Sequence, residues 1–174
     1  MADPRVAGYA EALFAVAAAE GDLSVVEDEL FRFAQALRSD DDLGSTLADR
    51  ALPMARRLQV VEDLLGGRAS AVTTALVSMV VGAGRAAELP AIVDAMLERS
   101  AASRNKAVAT VRSAVDLTAD QRERLAAAIN TRTGREVEVR VVIDPSVLGG
   151  VVTEIGDDII DGSVRRRLNQ LRES

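Results

Sequence analysis

Apolar residues recur every three or four positions through roughly the first 105 residues, the spacing that places side chains on one face of an α-helix. Pro4 suits the first turn of a helix and Gly21 suits a helix end, so the first helix is predicted between them. Asp40 and Ser70 precede later apolar series and are predicted N-caps, because their side chains accept hydrogen bonds from free helical N–H groups. Five further helices are predicted, whose apolar positions include Val26, Leu30, Leu43, Leu47, Leu58, Val61, Leu76, Val80, Ile92 and Met96.

Six helices with short connections predict a six-helix bundle over residues 1–105. Many alanines on these helices favour close approach of neighbouring helix axes. Only 2% of the chain is aromatic, so the bundle is expected to have a thin core. A partner that binds the bundle would supply additional burial.

The pattern changes after residue 105. Residues 107–115 are rich in β-branched side chains, and residues 136–143 alternate between apolar and polar positions, which predicts two strands. The buried face of the second strand is expected to hold Val137, Val139, Val141 and Ile143. Between the strands, Thr118 and Gln121 form a predicted capping box that begins a helix, and Gly134 is expected to end it.

The remaining residues predict two short strands and a last helix. Gly149 and Gly150 interrupt the chain before an apolar run at residues 151–155, and Gly156 with Asp157 suits a hairpin turn into a further strand. A last helix is predicted to begin at Ser163 and to present Val164, Leu168 and Leu171. Residues 106–174 are therefore expected to form a small α+β domain after the bundle, in a chain that is mainly α.

Charge divides along the same boundary. The chain has 27 acidic and 21 basic side chains and a net charge of −6; residues 1–105 hold 10 basic and 16 acidic groups, whereas residues 106–174 hold 11 of each. The two parts should therefore meet different partners. An acidic chain without a clustered basic surface argues against binding to nucleic acid.

Several kinds of chemistry are excluded by composition. The chain has no cysteine and no histidine, which removes thiolate nucleophiles, zinc ribbons, Ser-His triads and the usual general base. Asp157, Asp158 and Asp161 lack the spacing of a calcium-binding loop and are interpreted as part of a hairpin. No catalytic residue, metal site or cofactor is predicted. Without a signal peptide or a long apolar run, the protein is expected to be soluble and cytoplasmic, with no membrane insertion.

Two surface features have both a structural and a functional interpretation. The stripe of Tyr9, Leu13 and Phe14 on the first helix suits the bundle core, but an alanine-rich helix can also offer a groove to an amphipathic partner helix. Residues 165–167 are three consecutive arginines, which suit a solvated helix face, a site for a phosphate or lipid headgroup, or an acidic partner helix.

Five segments resemble one known family over nearly the whole chain. They are residues 9–14 (YAEALF), 108–115, 144–152 (DPSVLGGVV), 155–157 (IGD) and 160–164 (IDGSV). These segments resemble the delta subunit of F-type ATP synthases, whose mitochondrial counterpart is the oligomycin-sensitivity-conferring protein. The glycine-rich segment at residues 144–152 is the most specific of them. Its glycines are expected to set backbone geometry rather than to contact a partner.

The resemblance implies a non-catalytic stator subunit that links the catalytic head to the peripheral stalk, so that rotor torque drives ATP synthesis. It implies that residues 1–105 bind the N-terminal helices of alpha subunits in a groove between the first and fifth helices. The residues expected in this groove are Tyr9, Ala10, Leu13, Phe14, Ala75, Leu76, Met79 and Val80. It also implies that residues 106–174 bind the b subunits, and the residues expected in that contact are Val164, Arg165, Leu168 and Leu171.

The implied location is the cytoplasmic face of the bacterial cell membrane, as one peripheral copy in each ATP synthase complex. An alternative from another class of protein stays open on the sequence alone. A free helical adaptor that binds an unrelated amphipathic helix would show the same helical pattern.

Overall fold

A computed structural model describes residues 3–162. These residues divide into two compact units: unit 1, which ends at Arg99, and unit 2, which begins at Ser100. The division falls inside the last helix of a continuous helical series. The helices, in chain order, are α1 (Pro4–Glu20), α2 (Leu23–Ser39), α3 (Asp41–Ala48), α4 (Met54–Leu65), α5 (Ala71–Gly82), a 3-10 helix (Ala86–Glu88) and α6 (Leu89–Ser103).

Side-chain caps set the starts of α1, α2, α3 and α5. Asp3 Oδ1 accepts a hydrogen bond from the Arg5 N–H, and Asp22 Oδ1 accepts one from the Ser24 N–H. Asp40 ends α2 and begins α3, because its Oδ1 accepts from the Leu43 N–H at 3.0 Å. The predicted caps at Asp40 and Ser70 are confirmed. Each cap satisfies a backbone donor that has no partner within the helix.

Helix α5 contributes a large part of the core of unit 1. It packs against α1, α2 and α4. Val77, Val80 and Val81 have no exposed surface. The rest of the core comes from the inner faces of the surrounding helices, with fully buried side chains that include Leu13, Ala17, Leu30, Ala34, Leu47, Val61, Ile92, Val93 and Met96.

A half-buried carboxylate joins α2 to the start of α5. Glu29 accepts hydrogen bonds from the Ser70 N–H at 3.0 Å, the Ser70 hydroxyl at 2.8 Å and the Thr73 hydroxyl at 2.5 Å. Burial alone would raise the pKa of Glu29, but the hydrogen bonds from Thr73 and Ser70, with a smaller contribution from the Arg32 charge, lower it below its ordinary value. Glu29 therefore acts as an ionised acceptor at a helix N-terminus.

Unit 2 contains a four-stranded sheet and one helix among its described residues. The strands are β1 (Ala107–Ser113), β2 (Val137–Ile143), β3 (Val151–Ile155) and β4 (Asp158–Asp161), with α7 (Ala119–Thr133) between β1 and β2. The order in the sheet is β2-β1-β3-β4. The β1 and β2 strands are parallel, as a helical crossover requires, whereas β3 pairs antiparallel with both β1 and β4.

The predicted boundaries of α7 are confirmed. The Thr118 hydroxyl accepts from the Gln121 N–H at 3.2 Å, and the Gln121 side chain accepts from the Thr118 N–H at 2.9 Å, which is the predicted capping box. Gly134 ends the helix with a φ of 69°, a left-handed conformation that favours glycine. The inner face of α7 contributes Ile129 to a small core with Ala109, Val137 and Ile155.

The prediction for the buried face of β2 is wrong at its end. Val137 is buried and Val139 and Val141 are half-buried, but Ile143 is 59% exposed. Because β1 and β2 are parallel, Val137 pairs with Ala107 at one end of the sheet and Ile143 pairs with Ser113 at the other. The core formed with α7 lies at the Val137 end, so strict alternation continues beyond the part of the strand that this core covers.

The hairpin predicted at Gly156 and Asp157 is confirmed, and it joins β3 to β4. Gly156 has a φ of 58°, which a side chain would disfavour. The last helix, predicted to begin at Ser163, lies outside the described residues.

We expect Glu29→Gln to lower the free energy of unfolding by about 1–3 kcal/mol at pH 7, because three donors lose a charged acceptor. The folded-state pKa of Glu29 is lowered, so its stabilisation is present above about pH 4.5 and is lost as the pH falls through the folded-state value. Urea unfolding at pH 7 and at pH 4 measures the difference, with Glu20→Gln on exposed α1 surface as the control. An equal difference at both pH values would contradict the prediction.

The capping box gives a second prediction. Thr118→Ala removes the hydroxyl that accepts from the Gln121 N–H, at a cost of about 1 kcal/mol to α7. Amide hydrogen exchange in the first turn of α7 should accelerate about fivefold, whereas Thr118→Ser should keep the slow exchange. Unchanged exchange in Thr118→Ala would show that the cap does not limit the opening of this helix.

Candidate functional site

The first and fifth helices, predicted to form a groove, are neighbours that run in opposite directions. The two helices pack against each other. A Cβ at Gly21, which follows α1, would lie 3.5 Å from Val72 Cγ1 near the start of α5. At the other end, Tyr9 interacts with Arg85, which follows α5. The pKa of Arg85 is raised mainly by the Glu88 carboxylate, and Tyr9 makes a smaller contribution. The two ends of α1 therefore meet opposite ends of α5.

Burial separates the eight residues predicted for the groove into two sets. Four of them face the core of unit 1 with 3% or less of their surface exposed: Ala10, Leu13, Leu76 and Val80. Tyr9 and Phe14 are half-buried, Ala75 is exposed and Met79 is 43% exposed. Only the second set offers side-chain surface to a partner.

The Phe14 ring is also in contact with a neighbouring cation. The Arg99 guanidinium carbon lies 4.8 Å from the centre of the Phe14 ring, and Arg99 Nε donates to Glu11 Oε2 at 2.8 Å. At 3.6 residues per turn, Phe14 lies about 140° around α1 from Tyr9, on the other side of the buried stripe. Phe14 thus joins α1 to α6 through a cation–π contact. Sequence analysis missed this role because Arg99 is distant in the chain.

Five residues of α1 and α5 keep accessible apolar surface when the buried residues and Phe14 are set aside. On α1, Val16 lies seven positions after Tyr9 and is also half-buried, so the two share one side of the helix. On α5, Val72, Ala75 and Met79 share one side at spacings of three and four. We call these five residues the apolar strip. Sequence analysis missed Val16 and Val72, although their helical spacing from Tyr9 and Met79 would have identified them.

The four residues predicted to contact the stalk, Val164, Arg165, Leu168 and Leu171, lie outside the described residues. Within unit 2 the structure instead places an ion pair beside the sheet: Arg104 donates to both Glu138 oxygens, at 2.6 and 2.9 Å. Burial alone would raise the pKa of Glu138, but this pairing with Arg104 lowers it. Glu138 is therefore a structural carboxylate.

The remaining shifted carboxylates also have local explanations. Hydrogen bonds from the Ser146 side chain and backbone lower the pKa of Asp144, which begins the turn before β3. A hydrogen bond from Arg122 lowers the pKa of Asp116. In residues 3–162, no group of three or more acidic side chains is placed to hold a metal ion. No helix in that range is long and apolar enough to cross a membrane.

Comparison with known proteins gives one consistent result. The family model described as "ATP synthase delta (OSCP) subunit" matches residues 6–174. The chain is 44% identical over 172 residues to the ATP synthase subunit delta of Nocardia farcinica, covering 99% of this chain and 64% of that protein. It is 40% identical over 163 residues to the ATP synthase subunit delta of Salinispora tropica, covering 94% of this chain and 60% of that protein.

A solved structure supports the match in three dimensions. A chain in the cryo-EM structure of the Toxoplasma gondii mitochondrial ATP synthase hexamer aligns with a TM-score of 0.59 and 26% identity, over 98% of this chain and 97% of that one. The present chain spans about three fifths of the length of the curated relatives named above. Since the family model matches nearly every residue, the chain belongs to the ATP synthase delta (OSCP) subunit family.

Proposed function

We propose that this chain is a non-catalytic stator subunit of a proton-translocating F-type ATP synthase. The observation that carries the proposal is the family match over residues 6–174. In this role the chain links the alpha/beta catalytic head to the b subunits of the peripheral stalk, so that rotor torque drives ATP synthesis. Binding is the whole activity, and neither a catalytic group nor a cofactor is required.

On the head side, we propose that α1–α6 act as a six-helix bundle that binds the amphipathic N-terminal helix of an alpha subunit. The apolar strip supports this role, because its five residues lie on neighbouring antiparallel helices and keep apolar surface exposed. Ala75 and Met79 supply the most accessible contacts. The four buried groove residues would pack in the core behind the strip and would not touch the partner: Ala10, Leu13, Leu76 and Val80.

On the stalk side, we propose that residues 106–174 bind the b subunits, with Val164, Arg165, Leu168 and Leu171 as the contacts. The spacing of the three apolar residues supports one helical face, and Arg165 beside it suits an acidic partner helix. The proposed location is the cytoplasmic face of the bacterial cell membrane, with one copy in each complex.

The head-side proposal predicts a difference between two exposed methionines. We expect Met79→Asp to weaken binding of a peptide spanning the alpha subunit's N-terminal amphipathic segment at least tenfold, because docking would bury an unpaired carboxylate. Met54→Asp is the matched control, since Met54 is 50% exposed but lies at the start of α4. Isothermal titration calorimetry of the full chain measures both affinities.

Equal weakening in both variants, or no binding by the unchanged chain to a peptide shown to form a helix, would contradict the head-side proposal. The second outcome would favour a free adaptor for an unrelated amphipathic helix. Leu13→Asp is unsuitable for this test, because Leu13 is 1% exposed and the change would disrupt the core.

The domain assignment gives a further prediction. We expect a fragment of residues 1–105 to unfold cooperatively and to bind the same peptide with the affinity of the full chain, because it keeps α6 whole to Ser103. A fragment ending at Arg99 should be less stable, since it loses the last turn of α6 and the buried Ala101. Circular dichroism during urea unfolding measures stability, and calorimetry measures binding. Failure of residues 1–105 to fold would contradict the assignment.

A further inference from the structure

Unit 1 contains a cavity of about 250 Å³ on the side formed by α2, α3 and α4. Phe33 of α2, Leu43 of α3 and Leu64 of α4 line its apolar wall. Arg32 of α2 and Arg68 of the turn after α4 also line it, and both arginines are exposed. The cavity therefore combines an apolar interior with two cations that reach solvent.

The carboxylate in the cavity wall is already fully used. Both oxygens of Glu29 accept the Ser70 N–H at 3.0 Å, and Oε2 also accepts the Ser70 and Thr73 hydroxyls. To bind a ligand cation, Glu29 would have to give up hydrogen bonds that hold the start of α5. The Glu29 carboxylate therefore stabilises the fold rather than binding a ligand.

The two arginines have donors to spare. Arg32 donates from Nε to the Asp28 carbonyl at 3.3 Å, a bond that leaves its terminal nitrogens unused. Arg68 makes no side-chain hydrogen bond or ion pair with any residue in the range 3–162. A guanidinium presents five donors and pairs with a carboxylate through two parallel hydrogen bonds. The charged side chains that line the cavity are two cations, Arg32 and Arg68, and one ionised carboxylate, Glu29, so the excess of positive charge favours an anionic ligand.

We propose that this cavity binds a small amphipathic monocarboxylate, with a short acyl chain against Phe33, Leu43 and Leu64 and its carboxylate at Arg68 and Arg32. The volume lies just below the usual 300–1,000 Å³ of pockets for drug-sized molecules, so it suits a ligand with about ten heavy atoms. Such a ligand contacts three helices at once and stabilises unit 1 by binding only its folded form.

This site is separate from the apolar strip. The strip lies on α1 and α5, whereas the cavity is lined by α2, α3, α4 and the turn that follows α4. Carboxylate binding at this cavity and docking to the catalytic head can therefore be tested independently of each other.

Titration of the full chain with octanoate tests the proposal, followed by NMR amide shifts. We expect saturable one-to-one binding with a dissociation constant on the order of 1 mM, and shifts centred on Leu43, Leu64 and Arg68. Arg68→Gln should weaken binding about tenfold, because a charge-assisted hydrogen bond pair is lost. Arg50→Gln, an equal change of charge on an exposed arginine before α4, should bind as the unchanged chain does.

Two further ligands separate the contribution of the carboxylate from that of the acyl chain. Octanol should bind more weakly than octanoate because it lacks the charge, and acetate should bind more weakly because it lacks the chain. Equal loss of affinity in Arg68→Gln and Arg50→Gln would overturn the site, since it would indicate general attraction to positive charge. Non-saturating shifts spread over the surface, or equal binding of octanol and octanoate, would also overturn it.

Discussion

The enclosure of α5 is the constraint on which unit 1 depends. This helix packs against α1, α2 and α4, and its three valines at 77, 80 and 81 are fully buried. The first backbone donors of this helix have no acceptor within the helix itself and need acceptors from elsewhere. Ser70 and Glu29 meet this need together, with one side chain from the helix start and one from α2.

The packing of α5 also bears on the proposed recognition of a partner helix. Helix α5 packs against α1, α2 and α4 and keeps Ala75 and Met79 at the surface. Its neighbour α1 is alanine-rich, and it carries Tyr9 and Val16 as larger apolar side chains on one side of its buried stripe. A rigid apolar surface of this kind loses little conformational entropy when a partner binds. The core and the proposed docking surface therefore use different sides of the same two helices.

Local signals explain which features the sequence alone predicts. The caps at Asp40, Ser70 and Thr118 act within three residues of themselves, and they were predicted correctly. Contacts between distant residues were not predictable in this way: the Arg99 guanidinium over Phe14 and the Glu29 carboxylate at Ser70 depend on which helices become neighbours. The family resemblance placed Leu13 and Met79 in one predicted groove, and helical periodicity could not say how far each side chain is covered.

The wrong prediction at Ile143 also arose because burial depends on which elements become neighbours. Alternation along β2 reports which face a residue occupies, while burial also requires something to cover that face. The α7 core covers Val137 and leaves the far end of the strand to other elements. A sheet of this size with a single described helix buries little apolar area on its own, and small domains of this kind gain stability from bound partners. In the stator role proposed above, the chain works within an assembly, and a bound partner would cover the apolar surface that residues 100–162 leave exposed.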